Sequence, residues 1–232
     1  MTEKRLVSLL WVLKNKGKKW SIYELRRGAA AMLGKDDAVY KKNTRFPIVD
    51  LALTYGPTFT FVKELEKNGI LVKDPKTAEY TVAKAGDVVK LISLARPFSS
   101  LKTINFHSPL DFSATLKMIK DSKLAFAFTM FAGSELYRPY VKTDQVHVYI
   151  VEGEEEKWGK YLLSKNCLKA HKSQANLFLI PTRQKAFFSE AAKIKRFSIV
   201  PAPILLSDLF SFGGLAEEQA NFLMEEWLNG RL

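Results

Sequence analysis

Apolar residues recur at helical spacing from the start of the chain. Leu6, Leu9, Leu10 and Leu13 fall on one side of a helix over Glu3–Asn15, which Gly17 ends. Ser21 and Glu24 have the spacing of a capping box, so a second helix is expected over Ile22–Leu33, stopped at Gly34. From Lys35 to Arg45 the pattern dissolves into polar residues, and Ile48–Leu53 resumes an apolar helical one. After a turn at Tyr55, Gly56 and Pro57, an amphipathic helix is expected over Thr58–Asn68. It turns Phe61, Val62 and Leu65 inward and Thr60, Lys63 and Lys67 outward. Asn68 and Gly69 tolerate the left-handed backbone that ends helices. Ile70–Val72 and Glu79–Val82 then read as two strands of a hairpin around a charged tip that holds Lys73, Asp74, Pro75 and Lys76. A helix over Ala85–Leu94 follows, and Arg96–Ser100 has the composition of a domain boundary.

Beyond Leu101 the periodicity changes. Residues 108–122 predict a helix capped at Ser108 and Pro109, and residues 124–137 form a buried apolar segment around Gly133 and Ser134. Val146–Val151 is a strand by its β-branched content, followed by an acidic-started helix over Glu154–Leu163. Asn176–Ile180 and Phe197–Val200 predict further strands, and helices over Pro203–Phe210 and Ala216–Leu228 close the chain. Strands interleaved with helices place this half in an α/β or α+β class.

Charge sharpens the first half. The 232 residues carry a net charge of +12, with 18 basic against 10 acidic residues before Ala95 and 18 against 14 after it. A basic excess attracts polyanions, chiefly nucleic acid. Cys167 is the only cysteine, which excludes an intrachain disulfide and a cysteine-based metal cluster. His107, His147 and His171 lack ligand spacing and read as surface or core residues. No apolar run reaches the roughly 18 to 20 residues a membrane span needs. The amphipathic N-terminal segment also lacks the features of a signal peptide, so a cytoplasmic location is expected.

A helix-turn-helix offers its second helix to the major groove of DNA. Ile48–Leu53 and Thr58–Asn68, joined by Tyr55, Gly56 and Pro57, have those proportions. Ile22–Leu33 could instead serve as the first helix, with residues 35–55 inserted. Either way Thr58, Phe59, Thr60 and Lys63 occupy the first turns of the reading helix, where groups meet base edges, and Lys67 lies further along for the phosphate backbone. Lys73 and Lys76 at the hairpin tip suit phosphate or the minor groove. Lys41, Lys42 and Arg45 add a basic cluster before the motif. The bland alternative is a helix and hairpin used only for packing or dimerisation.

The second half offers three other candidate chemistries. Gly133 and Ser134, followed by Asp144, have the outline of a nucleotidyltransferase site. Such a site needs two carboxylates for its two metal ions, and the next positions here are Val146 and His147. Glu154, Glu155 and Glu156 sit at a helix start, where negative charge is stabilised, and read as capping. Cys167, near Lys165, Lys169 and His171, is expected as a small apolar residue rather than a reactive thiol. Phe126, Phe128, Phe131, Tyr137 and Tyr140 could stack on bases, but their apolar company favours a core. Phe222, Leu223 and Trp227 on the final helix read as core or an oligomer contact.

The run GPTFTFVKELEKNGILVKD with TAEYTVAKAGDVVKL resembles the winged helix-turn-helix of bacterial and archaeal regulators. AFTMFAGSELYRPYVKTDQVHVYI, NLFLIP and VPAPILLSDL are similar to the second domain of AbiEi-like proteins, the antitoxin and autoregulator components of abortive-infection toxin–antitoxin systems. The resemblance implies a transcriptional regulator, a repressor of its own promoter, sometimes paired with a nucleotidyltransferase toxin. The expectation is thus an α+β protein without enzymatic activity or cofactor, the alternative being a nucleotidyltransferase-type enzyme that the winged helix delivers to nucleic acid. A winged helix-turn-helix domain over residues 1–96 would bind double-stranded promoter DNA, with a homodimer as the geometric default. A C-terminal α/β domain over residues 101–232, distantly nucleotidyltransferase-like and non-catalytic, would serve assembly or regulation.

Overall fold

The computed structural model describes residues 1–34 and 53–231. The fold is mixed α+β, as the sequence leads one to expect, and it divides into two compact units, residues 1–92 and 93–232.

The first unit begins with α1 (Glu3–Lys14) and α2 (Ile22–Met32). The capping box forms: the Ser21 hydroxyl accepts from the Glu24 N–H, and the Glu24 carboxylate accepts from the Ser21 N–H at 2.7 Å. The next described helix, α3 (Tyr55–Lys67), starts three residues earlier than the pattern suggests, so Gly56 and Pro57 lie inside its first turn. Proline is tolerated there because first-turn N–H groups have no intrahelical acceptor. The expected helix over residues 48–53 and the cluster Lys41, Lys42 and Arg45 lie outside the described residues.

Gly69, at φ 67, reverses the chain into β1 (Leu71–Lys73), which pairs antiparallel with β2 (Tyr80–Val82). Trp20 joins this pair as a bridge, exchanging backbone hydrogen bonds with Tyr80 at 3.0 and 2.8 Å. The buried Trp20 ring meets Trp11 edge-on and packs against Tyr80. One tryptophan thus ties the end of α1, the start of α2 and the hairpin together. α2 packs against both α1 and α3, and α3 packs against β1. α4 (Ala85–Ala95) follows.

The second unit is built on a seven-stranded sheet. In chain order its elements are β3 (Ile104–His107), α5 (Phe112–Asp121), β4 (Phe126–Thr129), α6 (Met130–Tyr137), β5 (Val146–Val151), α7 (Glu155–Ser164), β6 (Leu168–Lys169), β7 (Leu177–Thr182), α8 (Ala186–Ser189), β8 (Ala192–Ile194), β9 (Phe197–Ile199), α9 (Ala202–Phe212) and α10 (Leu215–Leu228). The strand order is β6-β3-β7-β5-β4-β9-β8. β5 runs parallel to β7, β4 runs parallel to β9, and the other pairs are antiparallel. The central β5 is buried on both faces, which explains its unbroken apolar run VHVYIV.

Two expectations change in detail. The helix over residues 108–122 starts at Phe112, because Asp111 rather than Ser108 supplies the cap, accepting from the Ala114 N–H at 2.7 Å. The apolar segment 124–137 splits into β4 and α6, joined without a loop at Met130, whose φ is 53.

Arg96, in the stretch read as a boundary, belongs to the interior of the second unit. Its guanidinium pairs with the fully buried Asp208 at 2.5 Å, bonds the Tyr149 hydroxyl, and lies over the Tyr149 and Phe187 rings. Asp208 accepts further from Thr129 at 2.6 Å and from Tyr149 at 3.0 Å. Burial opposes the Arg96 charge, but Asp208 and Tyr149 more than offset it and hold the guanidinium firmly protonated.

Candidate nucleic-acid interface

Helical spacing decides which residues of α3 face water. Thr58 sits three, four and seven positions from Phe61, Val62 and Leu65, and therefore joins the buried face. It is 4% exposed, and its hydroxyl donates to the Thr54 carbonyl at 2.8 Å. The expectation that Thr58 reads a base edge is corrected: its one donor is spent inside the unit.

Phe59, Thr60, Lys63 and Lys67 share the outer face of α3. Thr60 and Lys67 are exposed and Lys63 half-buried. Phe59 is 38% exposed and stacks on Tyr55 at 5.9 Å between centroids. Arg26 of α2 lies over the other end of that stack, 5.7 Å from the Tyr55 ring, while its Nε donates to the Leu53 carbonyl at 2.8 Å. Lys63 is held by Glu66 at 2.7 Å and hangs over the Phe59 ring. That hydrogen bond to Glu66 raises the Lys63 pKa, so its positive charge persists.

Tyr55, Glu64 and Glu66 also shape this face, although they are not among the expected site residues. Tyr55 was legible only if the helix had been started early enough to pair it with Phe59 four residues on. Glu66 changes the electrostatics of the face: it neutralises Lys63 locally, and a carboxylate so placed repels phosphate while suiting a cytosine amino group. Glu64 meets Arg5 of α1 at 3.8 Å, both side chains well exposed.

Lys73 and Lys76 are exposed on the hairpin. The tip is pre-shaped by Asp74, whose carboxylate accepts from Lys19 at 2.6 Å and from the N–H groups of Lys76 and Thr77. The Lys19 bond, then those backbone donors, hold the Asp74 carboxyl below its ordinary range. The first unit therefore gathers Phe59, Thr60, Lys63 and Lys67 on one helix face, with Lys73 and Lys76 on the hairpin that follows. A helix with a polar, mostly basic outer ridge can lie along a groove of the duplex while lysines on a stiff hairpin neutralise phosphate.

The second unit disperses the other candidate chemistry. Ser134 is buried inside α6 and donates to the Phe131 carbonyl at 3.1 Å. A Cβ built on Gly133 would stand 2.9 Å from Leu205 Cδ1, so that glycine serves close packing rather than phosphate. Asp144 is exposed in the connection before β5. Among the described residues no three His, Cys, Asp or Glu side chains come together to hold a metal ion. Cys167 is buried against Met118, and burial pushes its thiol pKa up. Phe128 and Phe131 are core; Tyr140 is exposed, with one ring face already stacked on Phe222 at 5.1 Å. Among the described residues no helix is long and apolar enough to cross a membrane. Comparison with protein-family models, curated proteins and solved structures yields no match to this chain.

Proposed function

We propose that residues 1–92 are a winged helix-turn-helix that binds double-stranded DNA, and that the chain is a sequence-specific transcriptional regulator. The observation that carries the reading is the outer ridge of α3, with Phe59, Thr60 and Lys67 exposed and Lys63 half-buried, followed directly by a hairpin whose exposed lysines are Lys73 and Lys76. In this reading α3 enters the major groove, α2 packs beneath it, and Lys73 and Lys76 meet the backbone. Phe59 offers apolar contact to a thymine methyl, Thr60 a hydroxyl to a base edge, and Glu66 an acceptor for a cytosine amino group. The second unit supports assembly or regulation rather than catalysis, given a buried Ser134 and a lone Asp144.

The resemblance extends the proposal to an autorepressing, cytoplasmic antitoxin paired with a nucleotidyltransferase-like toxin. Its check is whether the neighbouring gene encodes such a toxin and whether co-expression of this chain relieves its effect.

Fluorescence anisotropy of the full chain on its own upstream DNA, across a salt series, tests the DNA reading. Lys67→Ala and Lys76→Ala are each expected to weaken binding to most sequences and to lower the salt slope by about one. Thr60→Ala should shift base preference and leave that slope alone. Wild-type affinity and preference in all three variants would remove the proposal.

A further inference from the structure

The second unit contains a cavity of about 210 Å³ that none of the chemistry above uses. Phe98, Phe178, Phe212 and His147 supply its aromatic walls, and Ser99, Thr103, Gln145 and Ser211 add polar groups to the lining. The His147 ring lies flat on Phe178, with centroids 4.5 Å apart and planes 8° apart, and meets Phe98 edge-on at 5.5 Å. His147 is 3% exposed, and its Nδ1 has no hydrogen-bond partner in the protein. A buried polar atom without a partner is uncommon and calls for a reason.

Charge at the mouth has one sign. Lys172, on the single turn Lys172–Gln174, lines the cavity, and no carboxylate does among the described lining residues. Burial and then the Lys172 charge depress the His147 pKa to about 3, so the imidazole is neutral and offers one N–H while Lys172 holds the positive charge. The size is that of a single ring with a small substituent, since a cavity of about 150 Å³ suffices for benzene. Aromatic walls, a neutral ring donor and an ammonium with no carboxylate among the lining residues favour a flat anion over a cation, and the hydroxyl and amide groups can meet its polar edge.

We propose that this cavity binds a small aromatic carboxylate, its ring against Phe98, Phe178 and Phe212 and its carboxylate taken by Lys172 and the His147 imidazole. The site lies wholly within residues 93–232 and does not depend on the DNA reading.

Calorimetric titration of the full chain with benzoate, benzamide and benzyl alcohol tests it. Benzoate should bind saturably at one site, and benzamide and benzyl alcohol about tenfold or more weaker, the worth of one charge-assisted hydrogen bond. Lys172→Gln, a change on an exposed turn, should weaken benzoate by the same factor and leave benzyl alcohol unchanged. Benzoate should also shift the NMR signals of Phe98, His147 and Phe178. No saturable benzoate binding, equal affinity for benzoate and benzamide, an unaffected Lys172→Gln variant, or shifts confined to residues outside the cavity would each overturn the assignment.

Discussion

Two stretches, Thr58–Lys67 and Phe131–Asp144, each set a few polar residues among aromatic and aliphatic ones, and the fold treats them oppositely. α3 buries one stripe and leaves Phe59, Thr60, Lys63 and Lys67 on its other side. α6 packs on the sheet and on α9, so Gly133 and Ser134 are enclosed, while the connection carrying Asp144 reaches water. A polar side chain can meet a ligand only on the face its element leaves open. A short motif is therefore worth as much as the amphipathicity around it.

The sharpest test of the enclosed side is Asp208→Ala. It strands Arg96 inside the second unit, and chemical denaturation should show a loss of about 3–5 kcal/mol; a loss below about 1 kcal/mol would mean the network is dispensable. Gly133→Val forces a branched side chain against Leu205, Ile199 and the Phe128 carbonyl, within 2.9–3.3 Å of the first added atom. It should cost about 1–3 kcal/mol, whereas a phosphate-binding glycine on an open loop would tolerate the change.

His147 supplies a pH-dependent test of the same interior. Its folded pKa of about 3 lies below the unfolded value near 6.5, so the unfolded chain takes up a proton that the folded one refuses. That contribution is complete above pH 6.5 and is lost as pH falls toward 3. Between pH 6.5 and 5 it amounts to roughly 1–2 kcal/mol. Urea melts at those two pH values should differ accordingly, and less so in His147→Phe.

The smallest effects fall on α3, where the two threonines diverge. Thr58→Ala removes a buried hydroxyl that serves the Thr54 carbonyl and should cost about 1 kcal/mol. Thr60→Ala should stay within about 0.5 kcal/mol, as exposed positions do. Equal losses at both sites would erase the contrast between the two faces.

Much of the local structure is legible in the sequence. The capping box at Ser21 and Glu24, the strand Val146–Val151 and the closing pair of helices follow from signals within a few residues of one another. The short strands β3, β6 and β8 were not legible, because two to four residues carry no periodicity and extend only where a neighbour pairs with them. Within the candidate interface, Thr60 and Lys67 are exposed and Lys63 half-buried on the outer face that spacing predicts; for Phe59 the sequence leaves thymine contact and core equally open, and the structure exposes it. Thr58 is buried instead, because three, four and seven positions before Phe61, Val62 and Leu65 it falls on the apolar stripe, a spacing the sequence already carried.

Residues close in the chain set the order of the longer elements, the basic excess of the first half and the amphipathic stripe of α3. Tertiary structure alone decided that Arg96 meets Asp208 across 112 positions and that Trp20 bridges Tyr80. It also decided that Phe98, His147, Lys172 and Phe178 enclose one cavity. Such partners are chosen by strand order and helix packing, which no local pattern encodes.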